Sequence, residues 1–88
     1  MTKYELTIIA RENLTVVDKI KIDDTIKEFV DRMKCKTEGV KTLSYPLKEQ
    51  KRGLYIYYTL WADNMNVSGV NYELAKNDNV LRYLLVRN

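Results

Sequence analysis

The sequence predicts an α+β domain in which two helices cover one face of a four-stranded antiparallel sheet. Two observations predict it. Lys3 to Ala10, Leu54 to Ala62 and Val80 to Arg87 alternate in side-chain character with period two, as half-buried strands do. The intervening stretches supply two segments of helical spacing and one further strand, giving the order strand, helix, strand, strand, helix, strand. With 88 residues, 45% of them hydrophobic, the chain can bury one core, and residues 1–88 read as a single domain.

The first strand, Lys3 to Ala10, places Tyr4, Leu6 and Ile8 on one face and Lys3, Glu5 and Thr7 on the other. Arg11, Glu12 and Asn13 end it. Thr15 is a candidate N-cap for a long first helix, with Asp18 three residues on as its capping-box partner. Val16, Ile20, Ile26, Phe29, Val30 and Met33 then form its packing stripe, and Asp23, Lys27, Asp31 and Lys34 its polar face. Gly39 breaks that pattern. Val40 to Tyr45 reads as the second strand, ended by Pro46, the only proline, which marks a strand end or a sheet edge because it has no N–H to pair.

Leu47 to Gly53 is a basic connection, and Leu54 to Ala62 the third strand, with Ile56, Tyr58 and Leu60 inward and Tyr55, Tyr57, Thr59 and Trp61 outward. Asp63-Asn64 offers cap residues for a short second helix carrying Val67, Val70 and Leu74 on one side. Gly69 within it costs about 1 kcal/mol of helix stability relative to Ala, so this helix depends on packing. Asn77-Asp78-Asn79 is a turn. The last strand, Val80 to Arg87, points Tyr83 and Leu85 inward and Arg82, Leu84 and Val86 outward.

This order is the split β-α-β arrangement of ferredoxin-like domains, in which right-handed crossovers place both helices on one face and the first and third strands in the middle. The opposite face is then open. It carries Lys3, Glu5, Thr7, Tyr55, Tyr57, Thr59, Trp61, Arg82, Leu84 and Val86. Outward tyrosines also serve ordinary cross-strand pairing. Gathered beside Lys3 and Arg82, they read as a surface for a partner.

Fifteen Lys and Arg against twelve Asp and Glu give a net charge of +3, a mild basic bias. There is no histidine and one cysteine, Cys35. That excludes His–Cys zinc sets, Ser–His and Cys–His nucleophiles and any intrachain disulfide, so neither a metal nor a cofactor is expected. The N-terminus enters a strand pattern directly, without the apolar core of a signal peptide, and no apolar run approaches bilayer-spanning length. A cytoplasmic or organelle-lumen protein is expected.

The most informative segment is Leu43 to Tyr58, which holds the proline, three of the fifteen basic residues and four of the seven tyrosines. A cationic hairpin tip followed by an aromatic strand suits contact with RNA. Within it, Leu43-Ser44-Tyr45-Pro46-Leu47, preceded by Gly39 and Lys41, resembles the Gly, basic, Leu-Ala-Tyr-Pro-Ile motif of the bacterial small-subunit ribosomal protein six family. Lys3-Tyr4-Glu5-Leu6 resembles that family's basic-Tyr-Glu-aliphatic start. Asn77-Asp78-Asn79-Val80-Leu81-Arg82 resembles its Asn-Asp-x-Val-aliphatic-Arg signature. The three motifs fall in order on matching strands, and the resemblance covers essentially the whole chain. It departs from the family in a shorter stretch before Gly39, in Ser44 for the usual Ala, in a basic pair reduced to Lys41-Thr42, and in an end at Asn88 without the polar extension many members carry.

The resemblance implies a non-enzymatic, ribosome-associated protein. It would bind the central domain of the small-subunit rRNA together with small-subunit ribosomal protein eighteen during platform assembly. Lys3, Lys41 and Arg82 match basic family positions, and Tyr45 and Pro46 its most recognisable motif. The candidate rRNA contacts are Lys3, Lys41, Arg52, Arg82 and Arg87, with Lys48 and Lys51 behind them, because Lys and Arg on strand ends meet phosphates and release counterions. The candidate partner contacts are Tyr45, Pro46, Tyr57 and Trp61, with the aromatic residues as anchors.

Three other readings share the fold. An RRM-like single-strand reader would stack bases where this chain has Leu54 and Ile56, with Tyr55 and Tyr57 one residue out of register. An acylphosphatase-like enzyme needs a glycine-rich phosphate loop where this chain has Ala10-Arg11-Glu12-Asn13. A ferredoxin-like interaction module would self-associate and ignore RNA.

Overall fold

The computed structural model describes every residue from Met1 to Asn88. Its elements are β1 (Thr2–Arg11), α1 (Val16–Lys27), β2 (Arg32–Leu47), β3 (Gln50–Ala62), α2 (Val67–Lys76) and β4 (Val80–Arg87). The strands form one antiparallel sheet in the order β2-β3-β1-β4, with β3 and β1 central as the topology predicts. Tyr4, Leu6, Ile8 and Ala10 of β1 and Ile56, Tyr58, Leu60 and Ala62 of β3 are buried in one cluster with Ile22, Ile26, Val70 and Leu74 of the helices. Both helices therefore cover the same face.

Thr15 caps α1, its hydroxyl accepting from Asp18 N–H at 3.1 Å. The helix stops at Lys27, however, and buries Ile22 and Ile26, while Val16, Val17 and Ile20 are exposed. The predicted stripe was thus rotated and too long. The chain is captured by the edge of β3: Asp31 N–H donates to Trp61 O at 2.8 Å, and the Asp31 carboxylate accepts from Asp63 N–H. Met33, read as the last apolar residue of the helix, instead pairs with Leu60 on the core-facing side of β2.

β2 consequently starts at Arg32 rather than Val40. Gly39 does not break it but sits at a bulge with φ 111°, where Thr37 pairs with Ile56 and Gly39 with Tyr55, leaving Glu38 as the extra residue. A larger irregularity lies between Thr42, opposite Arg52, and Leu47, opposite Gln50. Leu43, Ser44, Tyr45 and Pro46 oppose only Lys51, so Pro46 sits in an unpaired stretch of an edge strand. The connection itself is shorter than the predicted basic loop. It is the two residues Lys48 and Glu49, both with positive φ, which joins strands with the right twist.

The cap of α2 is Asn66, whose side chain accepts from Gly69 N–H at 3.0 Å, not Asp63-Asn64. Met65 is buried ahead of the cap. Gly69 is a packing requirement: a Cβ there would lie 2.7 Å from Phe29 Cε1.

Candidate functional site on the open sheet face

Directly paired residues share a face, so the register lays out the side opposite the helices as rows crossing the sheet. From one end they run Arg32-Trp61-Lys3, then Lys34-Thr59-Glu5-Val86, then Lys36-Tyr57-Thr7-Leu84, then Gly39-Tyr55-Ile9-Arg82, and finally Lys41-Gly53-Arg11. Each strand contributes one character. The β2 column is cationic, the β3 column aromatic, and the β4 column ends in the exposed apolar pair Leu84 and Val86.

The charge distribution is more uneven than the net value. Seven cations lie in these rows, against Glu5 and the bulge residue Glu38. The other eight Lys and Arg face ten Asp and Glu on the rest of the chain, which is therefore net acidic although the whole carries +3. Lys36 pairs with Glu38 at 3.0 Å, and this contact, with help from Lys41, holds the Glu38 carboxyl below its ordinary range. Both groups are exposed, so the pair is weak and open to competition from phosphate.

At the Gly53 end, β2 folds over the face. A Cβ on Gly53 would lie 2.5 Å from Ile9 Cγ2 and 3.5 Å from Leu43 Cδ2. The missing side chain is what lets Leu43 and Ile9 settle onto the sheet. Tyr45 then reaches across β1, and Arg82 Nη1 donates to its hydroxyl at 2.8 Å. From the turn, Lys48 Nζ donates to Val80 O at 2.9 Å. Two contacts thus clasp the β2–β3 hairpin to the start of β4, and Lys48 is committed to structure rather than to a ligand.

Of the sequence-predicted contacts, Lys3, Lys41 and Arg82 share the open face. Arg87 does not. It pairs with Tyr4 and so points to the helix side of β4, and Arg52 has the core-side parity of Leu54 and Ile56. Among the aromatic candidates, Tyr57 lies mid-face beside Thr7, while the Arg32 guanidinium covers the Trp61 ring at 4.6 Å and Lys41 stands 5.0 Å from the Tyr55 ring. Tyr45 and Pro46 are both exposed on the hairpin. Sequence reasoning missed Arg32, Lys34 and Lys36 because it placed them on a helix. The alternation Arg-Met-Lys-Cys-Lys was the available signal.

On the helix side, Tyr58 is buried and donates to Asp23 at 2.7 Å, and Lys19 Nζ contacts both Asp23 at 2.8 Å and Cys35 Sγ at 3.3 Å. Burial and the Asp23 carboxylate push the Tyr58 hydroxyl well above its ordinary pKa. Arg11, the residue an acylphosphatase reading would use, donates its Nε to Asp78 O at 2.9 Å. No helix is long and apolar enough to cross a membrane.

Comparison with known proteins shows the family of the chain. Residues 3–87 match the family described as "Ribosomal protein S6". The chain is 28% identical over 92 residues to "Small ribosomal subunit protein bS6" of Phytoplasma australiense, covering 99% of each. It is 30% identical to the protein of that description from Onion yellows phytoplasma (strain OY-M), covering 99% of this chain and 97% of that one. Against the Acidiphilium cryptum (strain JF-5) protein of the same description, 29% identical, it spans 58% of the longer relative. The crystal structure of 30S ribosomal protein S6 from Thermotoga maritima superposes with a TM-score of 0.83 at 16% identity, covering 99% of this chain and 87% of that one, which shows the shared fold. These matches place the chain in the ribosomal protein S6 family, as a structural, non-enzymatic protein of the small ribosomal subunit.

Proposed function

We propose that this protein binds the central domain of the small-subunit rRNA jointly with small-subunit ribosomal protein eighteen, and so supports assembly of the platform. The observation that carries the reading is the family match over residues 3–87, joined to an open face that is basic on one side and apolar on the other. As a small-subunit protein the chain lies against rRNA. Its charge asymmetry favours turning the open face toward phosphate and leaving the net-acidic remainder of the chain away from it.

On this reading Lys3, Lys41 and Arg82 meet phosphates, with Arg52 and Arg87 making separate contacts from the other side of the sheet. The protein partner takes Tyr57 with Leu84 and Val86, an aromatic anchor beside an exposed apolar pair. Tyr45 and Pro46 border that surface. Trp61, under its guanidinium, belongs to the basic side.

The test is sedimentation of tagged protein from lysate. The chain should run with the small-subunit peak, and Leu84→Asp/Val86→Asp should release it while leaving circular dichroism unchanged. A chain found only at the top of the gradient would overturn the reading.

A further inference from the structure

The edge strand β2 presents Arg32, Lys34 and Lys36 in consecutive rows of the open face, each opposite Trp61, Thr59 or Tyr57 of β3. Alternate residues on a strand stand about 6–7 Å apart, so the three charges form a line roughly 13 Å long beside a row with an aromatic ring at each end, Trp61 and Tyr57, and Thr59 between them. At its head Arg32 lies 4.6 Å from the Trp61 ring, and Lys3 pairs with Trp61 from the other side. Arg32 and Lys34 form no ion pair, and Lys36 has only its exposed contact to Glu38. Such a line offers two interactions at once. The cations meet consecutive phosphates, and the flat guanidinium and indole offer a platform on which an unpaired base stacks.

We propose that this β2–β3 track binds an unpaired RNA strand, its phosphates along Arg32, Lys34 and Lys36 and a base stacked at Arg32 and Trp61. The inference deepens the rRNA-binding reading and rests on it. A duplex fits less well, because its bases are already stacked and it can use only the charges. The track is sequence-tolerant, since every base has a stacking face. It differs from an RRM in that Leu54 and Ile56 stand where an RRM would stack bases, and Tyr55 and Tyr57 each fall one residue later.

Trp61 is the only tryptophan, so its fluorescence reports from the head of the track. The full chain is titrated at low salt with a twelve-nucleotide oligouridine and with an RNA duplex of the same length. The single strand should quench Trp61 and bind at least tenfold tighter than the duplex. Lys34→Gln/Lys36→Gln should lower the slope of log affinity against log salt by about 1.4, two phosphate contacts on a single strand. Arg32→Ala should cost roughly tenfold, and Arg32→Lys should recover less than half of that loss because it restores charge without a plane. Equal quenching by duplex and single strand, or a salt slope unmoved by the double variant, overturns the proposal.

A parallel arm measures binding of the same variants to a central-domain rRNA fragment in the presence of small-subunit ribosomal protein eighteen. If wild type shows partner-dependent binding while the track variants and oligouridine show no effect, the track is wrong and the ribosomal reading stands. If wild type itself gains nothing from the partner, the ribosomal reading fails and the track falls with it.

Discussion

Arg82 donates a hydrogen bond to the Tyr45 hydroxyl at 2.8 Å, joining residues 37 positions apart across two intervening strands. One is the residue before the only proline, the other lies at the start of the last strand. The contact explains why the unpaired stretch Leu43 to Pro46 lies down on the sheet instead of projecting from its edge.

Tyr45→Phe removes the acceptor and leaves the ring. Both groups are exposed, so global stability should fall by no more than about 1 kcal/mol, whereas amide exchange from Leu43 to Leu47 should quicken. The same variant separates two roles of Arg82. If Arg82 acts on RNA through its charge, Tyr45→Phe leaves RNA affinity intact and Arg82→Glu weakens it. Binding assays on the two variants decide this.

Gly53→Ala should destabilise the fold by about 1–3 kcal/mol through overpacking, because its Cβ would meet Ile9 Cγ2 at 2.5 Å. Adding Ile9→Ala clears the space. In chemical denaturation the pair should cost less than the sum of its single changes.

For Gly69, helix propensity and packing give opposite signs. Propensity favours Gly69→Ala by about 1 kcal/mol, but the new Cβ would lie 2.7 Å from Phe29 Cε1 and from Asn66 Nδ2. We expect packing to win in the wild-type background and the substitution to destabilise. In a Phe29→Leu background the same change should become neutral or stabilising, as read by the denaturation midpoint.

Alkaline stability follows from Tyr58. Its folded pKa is raised by burial and by donation to Asp23, whereas an unfolded tyrosine releases its proton near pH 10. The folded state therefore holds a proton that the unfolded state loses, and stability present below about pH 10 declines as pH rises beyond it. Lys19 runs the same way: burial opposes its charge, but Asp23 and Cys35 together raise its pKa. Tyr58→Phe should cost about 1 kcal/mol at neutral pH and flatten the decline in thermal melts taken between pH 9 and 11.

The central strands were legible because each is buried on one face, which fixes the alternation in Tyr4-Leu6-Ile8 and Ile56-Tyr58-Leu60. β2 was not. As an exposed edge strand it has a solvated outer side, and Phe29, Val30 and Met33 happen to continue a helical spacing from Ile26. The helix register failed for a related reason: Val16 and Ile20 are apolar yet exposed, so hydrophobicity alone chose the wrong side of α1. For the site, parity on β1, β3 and β4 located the open face and its Lys3, Tyr57 and Arg82, while the basic column of β2 was lost with its strand. The clasp could not be read at all, since hydrogen bonding between Tyr45 and Arg82 depends on a bulge that no local pattern announces.

The most direct measurement is the affinity of the chain for a central-domain fragment of small-subunit rRNA, titrated with and without small-subunit ribosomal protein eighteen. The account predicts weak binding alone, a gain of about tenfold or more with the partner, and loss of that complex on Lys3→Glu/Arg82→Glu. An affinity unchanged by the partner, or unchanged by reversing both charges, would contradict it.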